Sequence, residues 1–361
     1  MNVKYIDLKK VNAEIFKRKE IFKTWANLNS YILGSHVKQF EKKYADFSGT
    51  KYCISVASGY DAIYLTLLAW GIKKGDEVIV PAQTFIATWL AIKNVGATPV
   101  GCDIDANTLN IDHKKIQKLI TKKTKVIIPV HLCGRIANLY EIKKVVAKYK
   151  IKILEDNAQA QGAKLQGCIA GGIGDAGATS FYPTKNLGCL GDGGAITTNS
   201  KATAERVTLL RNYGSVAKYH YKGIGINSRL DEVQAVFLME KLKFLKLQNK
   251  KRQKIAQIYN ENIKNKSIIL PSFSKNDQHV WHIYSIRTKH RDVLQSYLKK
   301  QGVETVIHYP IPPAFSGIFS KRSNVKFIQT KKHCAETLSL PCYPNMPIQH
   351  LKYVIKHLNK F

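Results

Sequence analysis

Short apolar runs alternate along the chain with segments whose apolar residues recur at helical spacing. Residues 51–56 predict a buried strand, and after Ser58-Gly59 a helix carries Ile63, Leu67 and Leu68 on one face. Glu77 to Val80 predicts a strand ending at Pro81, and Thr84 to Val95 a helix closed by Gly96. Strands over Thr98–Cys102, Val126–Val130 and Ile151–Leu154 are separated by helices over Lys114–Ile120 and Leu139–Tyr149. This alternation predicts an α/β fold with a mostly parallel mixed sheet flanked by helices.

From Gly167 to Gly194 the texture changes to glycine-rich loops around two strand-like runs, Ala178–Tyr182 and Ala195–Thr198. A long helix is expected from about Leu230 to Asn262. Beyond it come a short strand (Trp281–Arg287), a helix (Arg291–Gln301) and a proline-rich loop, Pro310 to Pro313. A domain change is placed near residue 245, giving a large domain (1–245) and a smaller C-terminal α+β domain (246–361).

Composition narrows the class. The chain has 361 residues, 45% hydrophobic and 23% charged, ordinary for a globular protein. No run reaches the ~18–20 apolar residues that span a bilayer. The first residues, Met1-Asn-Val-Lys-Tyr-Ile-Asp, show no secretion signal, so a cytoplasmic location is expected. Seven scattered cysteines fit reduced thiols. His131 and Cys133, two apart after an apolar run, read as a strand end with no metal. The formal charge is +32, from 57 Lys plus Arg against 25 Asp plus Glu. That excess favours anionic partners. It is spread over the chain, however, and a solvated lysine surface is the better reading than a nucleic-acid platform.

Gly172-Ile-Gly174-Asp-Ala-Gly177 satisfies G-x-G-x-x-G, yet it leads into a strand-like run. A dinucleotide fingerprint needs a helix there, so these glycines are expected to serve a tight loop.

The remaining motifs meet the demands of pyridoxal phosphate (PLP). That cofactor needs a lysine for its aldehyde, a carboxylate for its pyridine nitrogen, an anion site for its phosphate and a flat group over its ring. Lys185 sits in Ser180-Phe-Tyr-Pro-Thr-Lys-Asn-Leu-Gly, where Pro183 fixes a turn and Gly188, Gly191, Gly193 and Gly194 admit close backbone approach. Asp156 follows the apolar strand Ile151–Leu154, where it suits either a pyridinium contact or a helix N-cap. Gln159 suits the phenolic oxygen of PLP or simply a first helical turn. Ser58 and Gly59 open a helix whose free N–H groups attract phosphate, and Ser180 offers a second hydroxyl. Phe85 suits ring stacking or the core.

Together, Glu155-Asp-Asn-Ala-Gln159, Ser180-Phe-Tyr-Pro-Thr-Lys-Asn186, Gly191-Asp-Gly-Gly-Ala195 and Gly225-Ile-Asn-Ser-Arg-Leu-Asp-Glu232 resemble the motifs of the DegT-type nucleotide-sugar aminotransferases. The resemblance continues through His308-Tyr-Pro310 and Leu338-Ser-Leu-Pro341. It implies PLP fold type I (aspartate-aminotransferase-like) and a homodimer with shared active sites. By position it makes Lys185 the imine lysine and acid/base, Asp156 the pyridine-nitrogen partner and Gln159 the phenolic-oxygen contact. Ser58, Gly59 and Ser180 would hold the phosphate, Asn227 would reach it from the other subunit, and Phe85 would cover the ring. His308 and Tyr309 would contact sugar or nucleotide. Tyr60 stands where the family often has threonine, and Ala314-Phe-Ser-Gly replaces a usual His and Gln. Leu210-Arg-Asn-Tyr-Gly-Ser215 with Lys218-Tyr219 resembles the subgroup acting on dTDP-linked 3-keto-6-deoxyhexoses, with L-glutamate as donor. The alternatives are amination at C4, a PLP-dependent sugar dehydratase and, remotely, a non-catalytic nucleic-acid binder.

Overall fold

A computed structural model describes residues 1–272, 279–319 and 326–361. Three helices lead in: α1 (Leu8–Phe16), α2 (Lys19–Ala26) and α3 (Ser35–Ser48). The alternating part comprises β1 (Tyr52–Val56), α4 (Gly59–Ala69), β2 (Glu77–Pro81), α5 (Ile86–Asn94), β3 (Thr98–Cys102), α6 (His113–Ile116), β4 (Thr124–Ile127), α7 (Leu139–Val146) and β5 (Lys152–Asp156). A small hairpin follows, β6 (Lys164–Leu165) and β7 (Cys168–Ile169), then β8 (Ala176–Ser180), β9 (Gly194–Thr198) and α8 (Lys201–Leu210). The rest consists of hairpin β10 (Ser215–Ala217) and β11 (His220–Tyr221), α9 (Glu232–Asn262), β12 (Tyr284–Arg287), α10 (Arg291–Lys300), α11 (Ile328–Glu336), β13 (Thr337–Leu340) and α12 (Ile348–Lys360).

Seven strands form the main sheet in the order β1-β9-β8-β5-β4-β2-β3. β9 alone runs opposite to the other six strands. Successive side chains of a strand point to opposite faces, and both faces are dry here. Val78 and Val80 join Ile63, Leu67, Trp89 and Ile92 in one cluster, whereas Ile79 joins Ile116, Ile127, Leu139 and Ile142 in another. Burial on both sides is why these strands read as unbroken apolar runs.

Several predicted elements are trimmed. The Val126–Val130 strand ends at Ile127, and Val130 keeps only an isolated bridge to Asp156; Pro129 has no N–H for the ladder. The Thr84–Val95 helix starts at Ile86, because Phe85 is an extended N-cap (φ −65°, ψ 142°). The Lys114–Ile120 helix is one turn of α-helix followed by a 3₁₀ turn, Gln117–Leu119. The C-terminal strand begins at Tyr284 rather than Trp281, whose φ is +46°. Asp156 is the last residue of β5, not a residue beyond it.

Residue 245 lies inside α9, which is continuous from Glu232 to Asn262. A separate cluster packs Ile255, Tyr259, Tyr284, Leu338 and Leu358 together with Val3 and Val11 from the N-terminus. A buried carboxylate also pins α11 to the large sheet. Asp103, after β3, accepts the backbone N–H groups of Gln329 and Thr330 at 3.1 and 2.9 Å and pairs with Lys115 at 3.1 Å.

Candidate active site

The parallel strands deliver their C-terminal ends to one region, where open α/β sheets bind ligands. β5 brings Asp156, β2 leads through Ala82-Gln-Thr to Phe85, and β8 ends at Ser180 before the loop that carries Lys185. The N-terminus of α4 faces them. A cavity of about 420 Å³ is lined by Ser58, Gly59, Phe85, Asp156, Gln159, Ser180, Lys185, His308 and Tyr309. Of the residues nominated from sequence, Asn227 alone is absent from this lining; it is exposed and bridges to Asn212.

The lysine loop is anchored at both ends. Phe181 is fully buried, edge-on to Phe40 and Tyr44 with ring centroids 5.4 and 5.3 Å away. Burying such a ring stabilises by about 1.5–3 kcal/mol. The Cys189 N–H donates to Phe181 O (2.7 Å), and the Lys185 N–H donates to Tyr182 O (2.8 Å), closing a tight turn. A Cβ at Gly188 would lie 2.4 Å from the Pro183 carbonyl oxygen, so the turn requires glycine there. Lys185 is half-buried and lines the cavity. Burial lowers its pKa to about 8, opposed by the negative charge of Asp156.

Asp156 is buried. Burial raises its pKa, while hydrogen bonds from Thr88 and the Ala158 N–H and the charge of Lys185 pull the other way. Thr88 Oγ1 donates to Oδ2 at 2.9 Å and the Ala158 N–H to Oδ1 at 3.1 Å. The carboxylate thus acts as an acceptor held in place at the wall of the cavity.

An anion cup lies opposite. Ser58 caps α4, its Oγ accepting the Asp61 N–H at 3.1 Å, which leaves the other first-turn N–H groups free. The cup is tight: a Cβ on Gly59 would sit 2.6 Å from Ser180 Cβ, and one on Gly194 would sit 2.3 Å from Ser58 O. Gly59→Ala is therefore expected to destabilise the fold by about 1–3 kcal/mol and to weaken retention of a phosphate ligand. Urea unfolding and dialysis against a phosphate-bearing ligand measure both; parent-like values in both would contradict the packing. Tyr60, which replaces the familiar threonine, stacks on Tyr64 at 6.0 Å and accepts a hydrogen bond from Asn94 Nδ2 at 2.6 Å.

Gln159 is oriented by its neighbours. Its Oε1 accepts the Cys133 N–H at 2.7 Å, so the amide nitrogen donates to Tyr309 Oη at 3.0 Å. Cys133 adopts φ +60° to make this contact. Phe85 is 55% exposed, its ring 5.8 Å from that of Tyr309. His308 Nδ1 lies 2.9 Å from Ser339 Oγ, and burial, aided by the positive charge of Lys185, lowers its pKa to about 4. Burial raises the Tyr309 phenol well above its usual value.

Sequence reading missed the support behind Asp156. Glu155 faces the opposite side of β5, fully buried, and its carboxylate accepts the N–H groups of Gly171, Ile173 and Gly174 at 2.8, 2.7 and 2.6 Å. Two of the three glycines of the G-x-G-x-x-G match, Gly172 and Gly174, thus lie in a loop folded around a carboxylate. His131 Nδ1 accepts the Ala137 N–H (3.2 Å), so its Nε2–H donates to Glu155 at 2.9 Å. Among the described residues no group of three potential ligands is placed to hold a metal. Burial raises the Glu155 pKa, but these hydrogen bonds outweigh it and leave the group below its ordinary value. Its stabilisation is present above the unfolded-state pKa of about 4.3 and is lost as pH falls through the lower folded value. Glu155→Gln would turn an amide nitrogen toward the N–H groups of Gly171 and His131. We expect a loss of about 3 kcal/mol at pH 7, narrowing below pH 4, in denaturant titrations. Equal stability at pH 7 would contradict this role.

Residues 13–359 match the model of the DegT/DnrJ/EryC1/StrS aminotransferase family. The chain is 44% identical to dTDP-3-amino-3,6-dideoxy-alpha-D-galactopyranose transaminase of Aneurinibacillus thermoaerophilus, over 99% of both sequences. It is 39% identical to dTDP-3-amino-3,4,6-trideoxy-alpha-D-glucose transaminase of Streptomyces venezuelae, covering 88% of this chain and 84% of that one. Among solved structures, S. venezuelae DesV superposes with a TM-score of 0.94 at 36% identity, over 99% of this chain and 98% of that one. NtdA from Bacillus subtilis with bound cofactor PMP superposes with a TM-score of 0.92 at 31% identity, over 99% and 84%. A fold of parallel strands ending at a cavity lysine, an aspartate and an anion cup, matched over nearly its whole length, places this chain in the DegT/DnrJ/EryC1/StrS family of PLP-dependent sugar aminotransferases.

Proposed function

We propose that this enzyme transfers the amino group of L-glutamate to the 3-keto group of a dTDP-linked 6-deoxyhexose, giving a dTDP-3-amino-3,6-dideoxyhexose. The observation that carries the reading is that Lys185 and Asp156 line the same cavity as an anion cup whose Gly59 has no room for a side chain. The residues fit PLP. Lys185 would hold its aldehyde, Asp156 its pyridine nitrogen and Gln159 its phenolic oxygen. Ser58, Gly59 and Ser180 would hold its phosphate, and Phe85 would cover its ring. When bound, the cofactor supplies an electron sink that stabilises negative charge at the carbon losing or gaining a proton.

The chain's own groups do the rest. The amine of Lys185, with a pKa of about 8, accepts and returns a proton near neutral pH without large driving force either way. Asp156 keeps a negative charge against the cofactor ring, and the buried walls around it strengthen that interaction. His308, neutral at pH 7, offers the ring edge not held by Ser339 to a polar substrate.

Amination at C3 is supported by the named activities of the relatives and by the Leu210-Arg-Asn-Tyr-Gly segment. We also infer a homodimer, supported by the hairpin β10–β11, where Tyr219 and Tyr221 are exposed and Ile224 beyond it is 96% exposed. In it Asn227 would serve the phosphate of the partner subunit. The site stays within residues 1–245 apart from His282, Ile283, His308 and Tyr309. No helix among the described residues is long and apolar enough to cross a membrane; we infer that the enzyme works in the cytoplasm.

Incubation with glutamate and a dTDP-3-keto-6-deoxyhexose should yield 2-oxoglutarate and a sugar bearing nitrogen at C3, read by mass spectrometry and NMR. Nitrogen at C4 instead would move the attacked carbon. Loss of a hydroxyl without nitrogen gain would replace transamination by dehydration.

A further inference from the structure

Asp156 lies in a place hostile to its charge. It is 5% exposed, and among the described residues only two groups donate to its carboxylate, the Ala158 N–H and the Thr88 hydroxyl. Lys185, from the loop after β8, His131, from the turn after β4, and the Tyr309 phenol face it electrostatically, but none of their side chains hydrogen-bonds to the carboxylate. Among the described residues Thr88 is therefore the sole side-chain donor to that carboxylate.

The Thr88 hydroxyl has one proton and several acceptors within reach. Asp156 Oδ2 is at 2.9 Å, Thr84 Oγ1 at 3.1 Å and the Phe85 carbonyl oxygen at 3.3 Å. A helical threonine ordinarily bonds back to the carbonyl three or four residues earlier; here that bond is the longest of the three. When Asp156 is an anion, Thr88 must give it the proton, and Thr84 can donate in turn to the Thr88 lone pair. The chain then runs Thr84 to Thr88 to Asp156 in one direction, and such chains polarise one another. If Asp156 is neutral, the hydroxyl is released to the Phe85 carbonyl. The two threonines are four residues apart at the start of α5 and flank Phe85, its N-cap.

We propose that Thr88 is a positioning residue whose hydroxyl, oriented by Thr84, holds Asp156 ionised at the pyridine-nitrogen site and ties that charge to the segment bearing Phe85. The proposal rests on the PLP reading above. Thr88 itself need not touch the cofactor.

Three variants, Thr88→Val, Thr88→Ser and Thr84→Val, test it against the parent, with PLP binding to the apoprotein followed by fluorescence quenching from pH 5 to 9. Valine keeps the shape and loses the donor, whereas serine keeps the donor. Thr88→Val is expected to bind PLP about tenfold more weakly at pH 7, a charge-assisted hydrogen bond being lost. Its acid limb of binding moves to higher pH, because Asp156 then protonates more readily. Thr88→Ser stays within about threefold of the parent with its acid limb unmoved. Thr84→Val shifts the limb in the same direction by less. If Thr88→Val and Thr88→Ser behave alike, or if the acid limb of folded Thr88→Val coincides with that of the parent, the proposal is overturned. Circular dichroism and thermal melting identify a misfolded variant; should Thr88→Val misfold, an acid limb unmoved in Thr84→Val overturns the proposal by itself. Failure of the parent to bind PLP would instead sink the cofactor reading, and this proposal with it.

Discussion

Lys185→Ala leaves a folded protein that transfers no amino group at a measurable rate, a loss of at least about 10⁴-fold. The size would follow from the two roles proposed for one atom, Nζ holding the cofactor aldehyde and moving the proton. The variant should also lack the visible band of lysine-bound PLP, and borohydride should leave no adduct on its peptide spanning 185. Lys185→Arg retains a cation and is expected to be equally inactive, because guanidinium gives up no proton near neutral pH. A further consequence follows from the pKa of about 8. Since only the neutral amine attacks an aldehyde, PLP capture by the apoprotein should accelerate with pH and level off above about 8. A plateau appearing only above pH 10 would show an ordinary lysine, and full activity in Lys185→Ala would remove this residue from the chemistry altogether.

Asp156→Asn carries the second large effect. Asparagine keeps the shape and can still accept from Thr88 or from Ala158, so the fold should survive with little change in melting temperature. What disappears is the negative charge, preorganised in a buried setting where it acts strongly. Turnover is expected to fall by about 10²–10³-fold, with a smaller loss of PLP affinity because the anion cup and Lys185 remain. Steady-state kinetics at saturating PLP separates the two. A variant whose kcat is intact and whose only defect is PLP affinity would reduce Asp156 to an anchor.

Much of this site was legible because its residues announce themselves locally. The apolar strand leading to Asp156, the turn around Lys185 with Pro183 and Gly188, and the Ser58-Gly59 opening of α4 each have a short-range physical cause. Thr88, Glu155 and His131 were not legible in the same way. A threonine 68 residues from Asp156 in sequence carries no local mark of the hydrogen bond it makes. His131 looked like the end of a strand, and its partner Glu155 lies 24 residues on, joined to it only when β4 and β5 align.

The sequence by itself determined the alternation of elements, the glycines that keep the anion cup open, and the order in which lysine, carboxylate and hydroxyls are delivered. Those properties depend on side-chain periodicity and backbone freedom over a few residues. Tertiary structure alone decided the electrostatics of the site: how far burial lowers Lys185, which hydroxyl donates to Asp156, and which buried pair stands behind it. Charge states depend on solvent exclusion and on partners assembled from distant parts of the chain, and neither exists until the sheet has closed.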